Sequence, residues 1–245
     1  MSKVLSKDGT PIAFDKAGTG EPIILVDGAL CSRSFGPMSK LAPLLAPHFT
    51  VLSYDRRGRG ESGNTMPYTV EREVEDIEAL IGEAGGSASV FGISSGAALA
   101  LAAASRLNIK KLALYEPPFV AGRRVHGPPA DSEAQLKRLV AEGRRGDAVH
   151  FFIADMVGMP AIFIYVMRIL PIWPKLKAVA HTLPYDAAVL GDFSLPRKRA
   201  ASVVVPTLVA WGEKSPVELR GAAISLADAV PGAKRQMLKG QTHNV

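Results

Sequence analysis

The residues with the clearest chemical potential form Gly92-Ile93-Ser94-Ser95-Gly96, which fits the spacing G-x-S-x-G. A serine hydroxyl is a weak nucleophile unless the backbone exposes it and a base takes its proton. The flanking glycines let a strand turn abruptly into a helix, so that neighbouring backbones approach while Ser94 projects from a strained position. A helix beginning at Ser95 aims free N–H groups and the positive end of its dipole at charge developing on an attacked carbonyl. The pattern alone is weak, because an ordinary Gly/Ser turn also satisfies it. Its context sharpens it: residues 88–93 have a strand pattern, and residues 95–107 are small, alanine-rich and helical. Ser94 is expected to be a nucleophile.

Such a serine needs a base, and the chain has five histidines: His48, His126, His150, His181 and His243. His243 lies just beyond the last predicted strand, in Lys239-Gly240-Gln241-Thr242-His243, where a loop can return over the strand ends. It is the expected base; the other four read as surface histidines.

The elements that must position these groups alternate. Residues 12–14, 23–26, 49–54, 88–93, 112–115 and 235–238 read as strands, and the strand before the last falls within 203–211. Helical spacing runs through 35–45, 70–81, 95–107 and 217–230. This alternation predicts an α/β fold with a mostly parallel sheet and helices on both faces. Residues 119–199 break the rhythm and predict an inserted helical cap on a core of residues 1–118 and 200–245. Within it, Met156, Met159, Phe163, Met167 and Trp173 are candidates for an apolar pocket wall.

Composition narrows the function classes. With 47% hydrophobic and 21% charged residues, the 245-residue chain supports a large core. A net charge of +6 invites an acidic partner, but the arginines are scattered (Arg56 and Arg57, Arg123 and Arg124, Arg144 and Arg145, and the run at 197–199) and not interleaved with aromatics. They read as solvated surface charge, and no nucleic acid is expected. The most apolar segment, residues 151–170, is interrupted by Asp155, Pro160 and Arg168, which argues against a membrane span. Residues 1–9 are polar and lack the apolar stretch of a signal peptide. The single cysteine, Cys31, suits a reducing compartment, so a cytoplasmic location is expected. No zinc-ligand spacing occurs, and neither metal nor cofactor is expected. The partner is a small-molecule substrate, with a homodimer left open.

In order and in motifs, from about Ser6 to His243, the chain resembles the α/β-hydrolase superfamily. The resemblance rests on the strand ending at Asp27 and Gly28, the Tyr54-Asp55-Arg56-Arg57-Gly58-Arg59-Gly60-Glu61-Ser62 loop, the Gly92–Gly96 turn, the cap and the late histidine. It is most similar to small bacterial hydrolases of the esterase and lactonase type. The resemblance implies a catalytic triad and an oxyanion hole built from the N–H groups of Ala29 and Ser95. Four positions depart from the superfamily pattern. The usual acid place, after the strand before the last, holds Ser215 in Gly212-Glu213-Lys214-Ser215. A second known place, the end of the strand after the nucleophile helix, holds Glu116, which is the expected acid; Glu213 is its rival. Asp27 stands where members often have histidine, and is expected to turn away and bond to its own loop. Ile93 stands where an aromatic residue or histidine is frequent, and members usually carry a further helix after the histidine.

These residues imply a serine hydrolase acting on a small, apolar ester or lactone through an acyl-enzyme. Two alternatives stay open: a cofactor-free lyase, carbon–carbon hydrolase or perhydrolase on the same site, or a non-catalytic ligand-binding member of the fold. Haloalkane dehalogenase and epoxide hydrolase chemistry is disfavoured, because those members use aspartate where this chain has Ser94.

Overall fold

The computed structural model describes residues 2–120, 122, 128–129 and 131–243. His126, Arg123 and Arg124 lie outside the described residues. The strands are β1 (Ser2–Leu5), β2 (Pro11–Ala17), β3 (Glu21–Val26), β4 (Phe49–Tyr54), β5 (Ala88–Ile93), β6 (Ile109–Tyr115), β7 (Thr207–Gly212) and β8 (Lys234–Leu238). They form one eight-stranded sheet in the order β1-β2-β4-β3-β5-β6-β7-β8. Pairing is antiparallel for β1 with β2 and for β2 with β4, and parallel from β4 across to β8.

Four helices accompany the sheet: α1 (Met38–Leu45), α2 (Val70–Glu83), α3 (Ser95–Ala104) and, late in the chain, α10 (Val217–Ala229). Between β6 and β7 come α4 (Ser132–Ala141), α5 (Arg145–Phe151), a π-helical turn (Phe152–Met156), α6 (Ala161–Ile169), α7 (Ile172–Val179), α8 (Leu183–Leu190) and α9 (Arg197–Ala201). No helix among the described residues is long and apolar enough to cross a membrane.

Parallel strands bury both faces, and the core divides accordingly. The larger cluster joins α2, α3, α10 and the inserted helices to one face, and the smaller one packs α1 on the other through Met38, Leu25, Val51 and Ile93. Strands leave β3 in opposite directions, β4 to one side and β5 to the other. The crevice at the carboxyl ends of β3 and β5 is therefore a topological switch point, where such sheets place their ligands. Helix α3 starts there and is buried along its whole length. Only small residues allow this approach. A Cβ on Gly96 would stand 2.3 Å from the Val26 carbonyl oxygen, and one on Gly92 would stand 2.5 Å from that of Gly96.

The structure departs from the sequence reading in places with physical causes. Ser2–Leu5 forms an edge strand in a segment that the sequence marks only as polar, because backbone pairing with β2 orders it without much side-chain burial. Arg56 and Arg57 are not surface charge: they are 1% and 0% exposed, each clamped by internal carboxylates. The apolar stripe of α2 carries Glu73 and Asp76 inward beside Val74 and Ile77, as partners for those arginines.

Gly96→Ala is expected to cost about 3 kcal/mol, because neither the β3 carbonyls nor α3 can recede. Thermal melting should show this as a fall of roughly 5–10 °C. An unchanged melting temperature would mean that α3 has room to shift.

Candidate functional site

Ser94 occupies the turn between β5 and α3 with φ +55° and ψ −125°, a conformation that costs a non-glycine residue strain. The surroundings enforce it. Its N–H donates to the Tyr115 carbonyl at 2.9 Å, continuing the β5–β6 ladder, while its own carbonyl accepts from the N–H groups of Ala97 and Ala98 and opens the helix. One peptide thus ends a strand and the next begins a helix. The side chain reaches a cavity of about 400 Å³ that His243 also lines.

Glu116 follows directly on β6 in a second strained position, with φ +47°, and is fully buried. Its Oε2 lies 2.7 Å from His243 Nδ1, and its Oε1 accepts the Gly212 N–H at 2.7 Å. Burial pushes the Glu116 pKa up, but the hydrogen bonds with His243 and Gly212 and the nearby Ser215 hydroxyl outweigh it and hold the carboxyl below its ordinary range. Ser215 lies beside this carboxylate outside good hydrogen-bond geometry, yet its hydroxyl dipole still favours the ionised form.

The loop carrying His243 is tied down on both sides. Tyr115 Oη donates to the Thr242 carbonyl at 2.7 Å, and Lys214 N–H donates to that of Gln241 at 2.9 Å. Glu213, the rival acid, is exposed and accepts the Gly240 N–H at 2.8 Å. It braces the loop and does not meet the imidazole.

Gly28 passes close to Ser94: a Cβ there would lie 3.3 Å from Ser94 Cβ. Asp27 is buried, and its Oδ1 accepts the Gly28 N–H at 2.9 Å, within its own loop. Burial pushes its pKa up to about 6, opposed by the Gly28 N–H and by the charge of Arg59. The N–H groups of Ala29 and Ser95 have no backbone partner among the described residues.

Sequence reasoning missed a buried ionic cluster beneath this site. Asp186 of α8 accepts from Arg56 Nη1 at 2.7 Å, Arg59 Nη2 at 2.6 Å and Ser95 Oγ at 2.8 Å. Arg56 also forks onto Glu73, with both contacts at 2.7 Å or less, and Tyr68 Oη donates to Glu73 at 2.9 Å. Burial alone would raise the Asp186 pKa, but Arg59 and Arg56 hold it below the usual carboxylate value. The available signal was a lone acid in the apolar run Leu183-Pro184-Tyr185-Asp186-Ala187-Ala188-Val189-Leu190.

The cavity wall is apolar, with Phe152, Met156, Met159, Leu190, Phe193 and Leu219 among its residues, and among the described residues no Asp, Glu, Lys or Arg lines it. The expected wall is corrected in part. Met156 and Met159 line it, whereas Phe163 on α6 is 58% exposed and Met167 lies outside it. Trp173 packs instead beneath Arg168, at 5.4 Å, in a separate polar cleft. A larger groove, about 830 Å³, lies between α1 and β8, and neither Ser94 nor His243 lines it. His48 is exposed, His150 stands 3.4 Å from Arg168, and half-buried His181 has its pKa lowered by burial and by Arg145. Among the described residues no three His, Cys, Asp or Glu side chains gather as a metal site.

Comparison with known proteins agrees with this architecture. An alpha/beta hydrolase from Sphaerobacter thermophilus superposes with a TM-score of 0.92 at 51% identity, covering 100% of this chain and 95% of that one. A thermophilic esterase from Thermogutta terrifontis gives a TM-score of 0.72 at 23% identity, covering 99% and 90%. A putative non-heme bromoperoxidase, BpoC, from Mycobacterium tuberculosis is 32% identical over 91 residues, a match spanning 36% of this chain and about a third (34%) of that protein's length. The profile of the Alpha/beta hydrolase family matches residues 19–245, and the chain belongs to that family.

Proposed function

We propose that the protein is a serine hydrolase that cleaves a small, uncharged, apolar ester or lactone through an acyl-enzyme. The observation that carries this reading is the 2.7 Å contact between Glu116 and His243, with His243 and Ser94 lining one cavity. An ionised Glu116 accepts a hydrogen bond from the His243 Nδ1–H and keeps the proton on that nitrogen, which leaves Nε2 free to act as base. His243 takes the Ser94 proton as Oγ attacks the carbonyl carbon, and the N–H groups of Ala29 and Ser95 receive the oxyanion. The imidazolium returns that proton to the leaving alkoxide, releasing an alcohol and an acyl-Ser94 ester. Water then repeats the sequence in reverse roles and frees the acid.

The inserted helices, residues 119–199, act in this reading as a cap over the core of residues 1–118 and 200–245. The described wall, which has no Asp, Glu, Lys or Arg, gives a charged acyl group nothing to pair with, and leaving such a charge dry is costly. This favours neutral, apolar acyl groups. The Thermogutta esterase and an enol-lactonase from Burkholderia xenovorans LB400, at 23% and 24% identity, are among the similar structures whose names fit this chemistry. A single, partly buried cysteine is consistent with a cytoplasmic setting.

Ser94→Ala should abolish turnover of short p-nitrophenyl esters and labelling by a fluorophosphonate, with the melting temperature kept. An unlabelled wild type would favour a binding protein, and activity near wild type in the variant would end the mechanism.

Glu116→Gln should lower kcat by up to about four orders of magnitude, through the wrong tautomer and an unstabilised imidazolium. Glu213→Gln should be nearly silent, because the amide oxygen still accepts the Gly240 N–H. Loss in the second and not the first would reverse the assignment. The Glu116 pKa is lower in the folded state, so its stabilisation is complete above the ordinary value of 4.5 and is lost as pH falls through the folded value. The melting difference between wild type and Glu116→Gln should therefore shrink in acid.

A further inference from the structure

Both N–H groups assigned to the oxyanion trace back to one carboxylate. Arg59, held by Asp186 through Nη2, donates from Nη1 to the Gly28 carbonyl at 2.7 Å, with a longer contact to the Cys31 carbonyl at 3.4 Å. Its Nε is taken up by Thr182 Oγ1 at 3.0 Å, so the guanidinium plane is held on each side. The Gly28 carbonyl shares a trans peptide with the Ala29 N–H, since the only cis bond among the described residues is Met66-Pro67. In a planar trans peptide these two groups point in opposite directions. A guanidinium fixed on the carbonyl therefore sets the direction of the N–H and polarises it. The second donor belongs to Ser95, whose hydroxyl bonds to Asp186 Oδ1 at 2.8 Å.

We propose that Asp186 is the positioning residue for the oxyanion site, orienting the Ala29 N–H through Arg59 and the Ser95 N–H through the Ser95 hydroxyl. This inference rests on the serine-hydrolase reading above and adds a role for the inserted helices: α8 sets the electrostatics of the reaction as well as covering the site. Negative charge on the carbonyl oxygen develops mainly in the transition state. Misaligned donors should therefore lower kcat and leave ground-state binding intact.

The division of labour within the carboxylate supplies the test. Oδ1 serves Arg56 and Ser95, whereas Oδ2 serves Arg59. In the double variant Arg59→Met, Asp186→Asn, the amide oxygen keeps the first two partners, and neither an unpaired arginine nor an unpaired carboxylate remains. The anchor on the Gly28 carbonyl is lost, together with the Arg59 contacts to Thr182 and to the Cys31 carbonyl. With a short p-nitrophenyl ester, kcat should fall about 10²-fold with KM within threefold of wild type, the scale of a compromised oxyanion donor. Affinity for a trifluoromethyl ketone analogue, which forms an oxyanion on Ser94, should fall in parallel, while affinity for the product acid should not. Arg59→Lys is the second variant. It keeps the buried charge but, as a point donor, cannot hold both the carboxylate and the carbonyl, so it should show the same selective loss. Unchanged kcat and analogue affinity in either folded variant, with Ser94→Ala inactive, would overturn the inference and leave the hydrolase reading standing. An equal change in KM and kcat with no selective loss of analogue affinity would also overturn it, since that is the mark of a purely structural role. Wild-type activity in Ser94→Ala would remove both.

Discussion

Two guanidinium groups meeting one carboxylate out of reach of water is the constraint on which the site depends. Arg56, Arg59, Glu73 and Asp186 are each 1% exposed or less, and their formal charges cancel. Removing any one would strand its partner in a medium that cannot solvate it, typically at a cost of about 3–5 kcal/mol. The cluster draws together the turn after β4, the first turn of α2, the start of α3, the loop after β3 and α8. Apolar packing alone would hold those elements near one another without fixing their angles. Forked contacts at 2.6–2.7 Å fix the angles as well.

That rigidity complements a strained surface. Ser94 and Glu116 both hold positive φ values without being glycine, and they face each other across the pairing of β5 with β6. Each is kept there by ladder bonds that continue past the end of its strand: the Ser94 N–H to Tyr115, and the Glu116 N–H to Ala210. The sheet thus supplies the energy that presents both side chains on one edge. His243 is brought to that edge by loop contacts alone, and Glu213, Lys214 and Tyr115 provide them.

Much of the fold was legible because its signals are local. Residues 49–54 and 88–93 read as strands on the same bounds the structure gives, since buried parallel strands are continuous apolar runs. The nearness of Glu116 to His243 followed from strand order and from the resemblance, even though Ser215 fills the usual acid place. The ionic cluster was not legible, because its partners are up to 130 positions apart in the chain, as Arg56 and Asp186 are, and arginines in a polar loop resemble surface charge. Phe163 and Trp173 misled for a related reason: an apolar residue in the insertion can face the cavity, the core or solvent, and composition does not separate these.

The insertion is not uniform in how it is fastened. Helix α8 is bolted to the core by the ions around Asp186, whereas α6 rests chiefly on α7 and the π-helical turn and leaves Ile162, Phe163, Tyr165 and Ile169 more than half exposed. Val157, Gly158 and Pro160, at the near end of α6, form one rim of the cavity. The rim at Val157, Gly158 and Pro160 is thus joined to the rest of the chain by fewer ties than the wall carrying Asp186, which ionic contacts and the Ser95 hydroxyl hold from three sides.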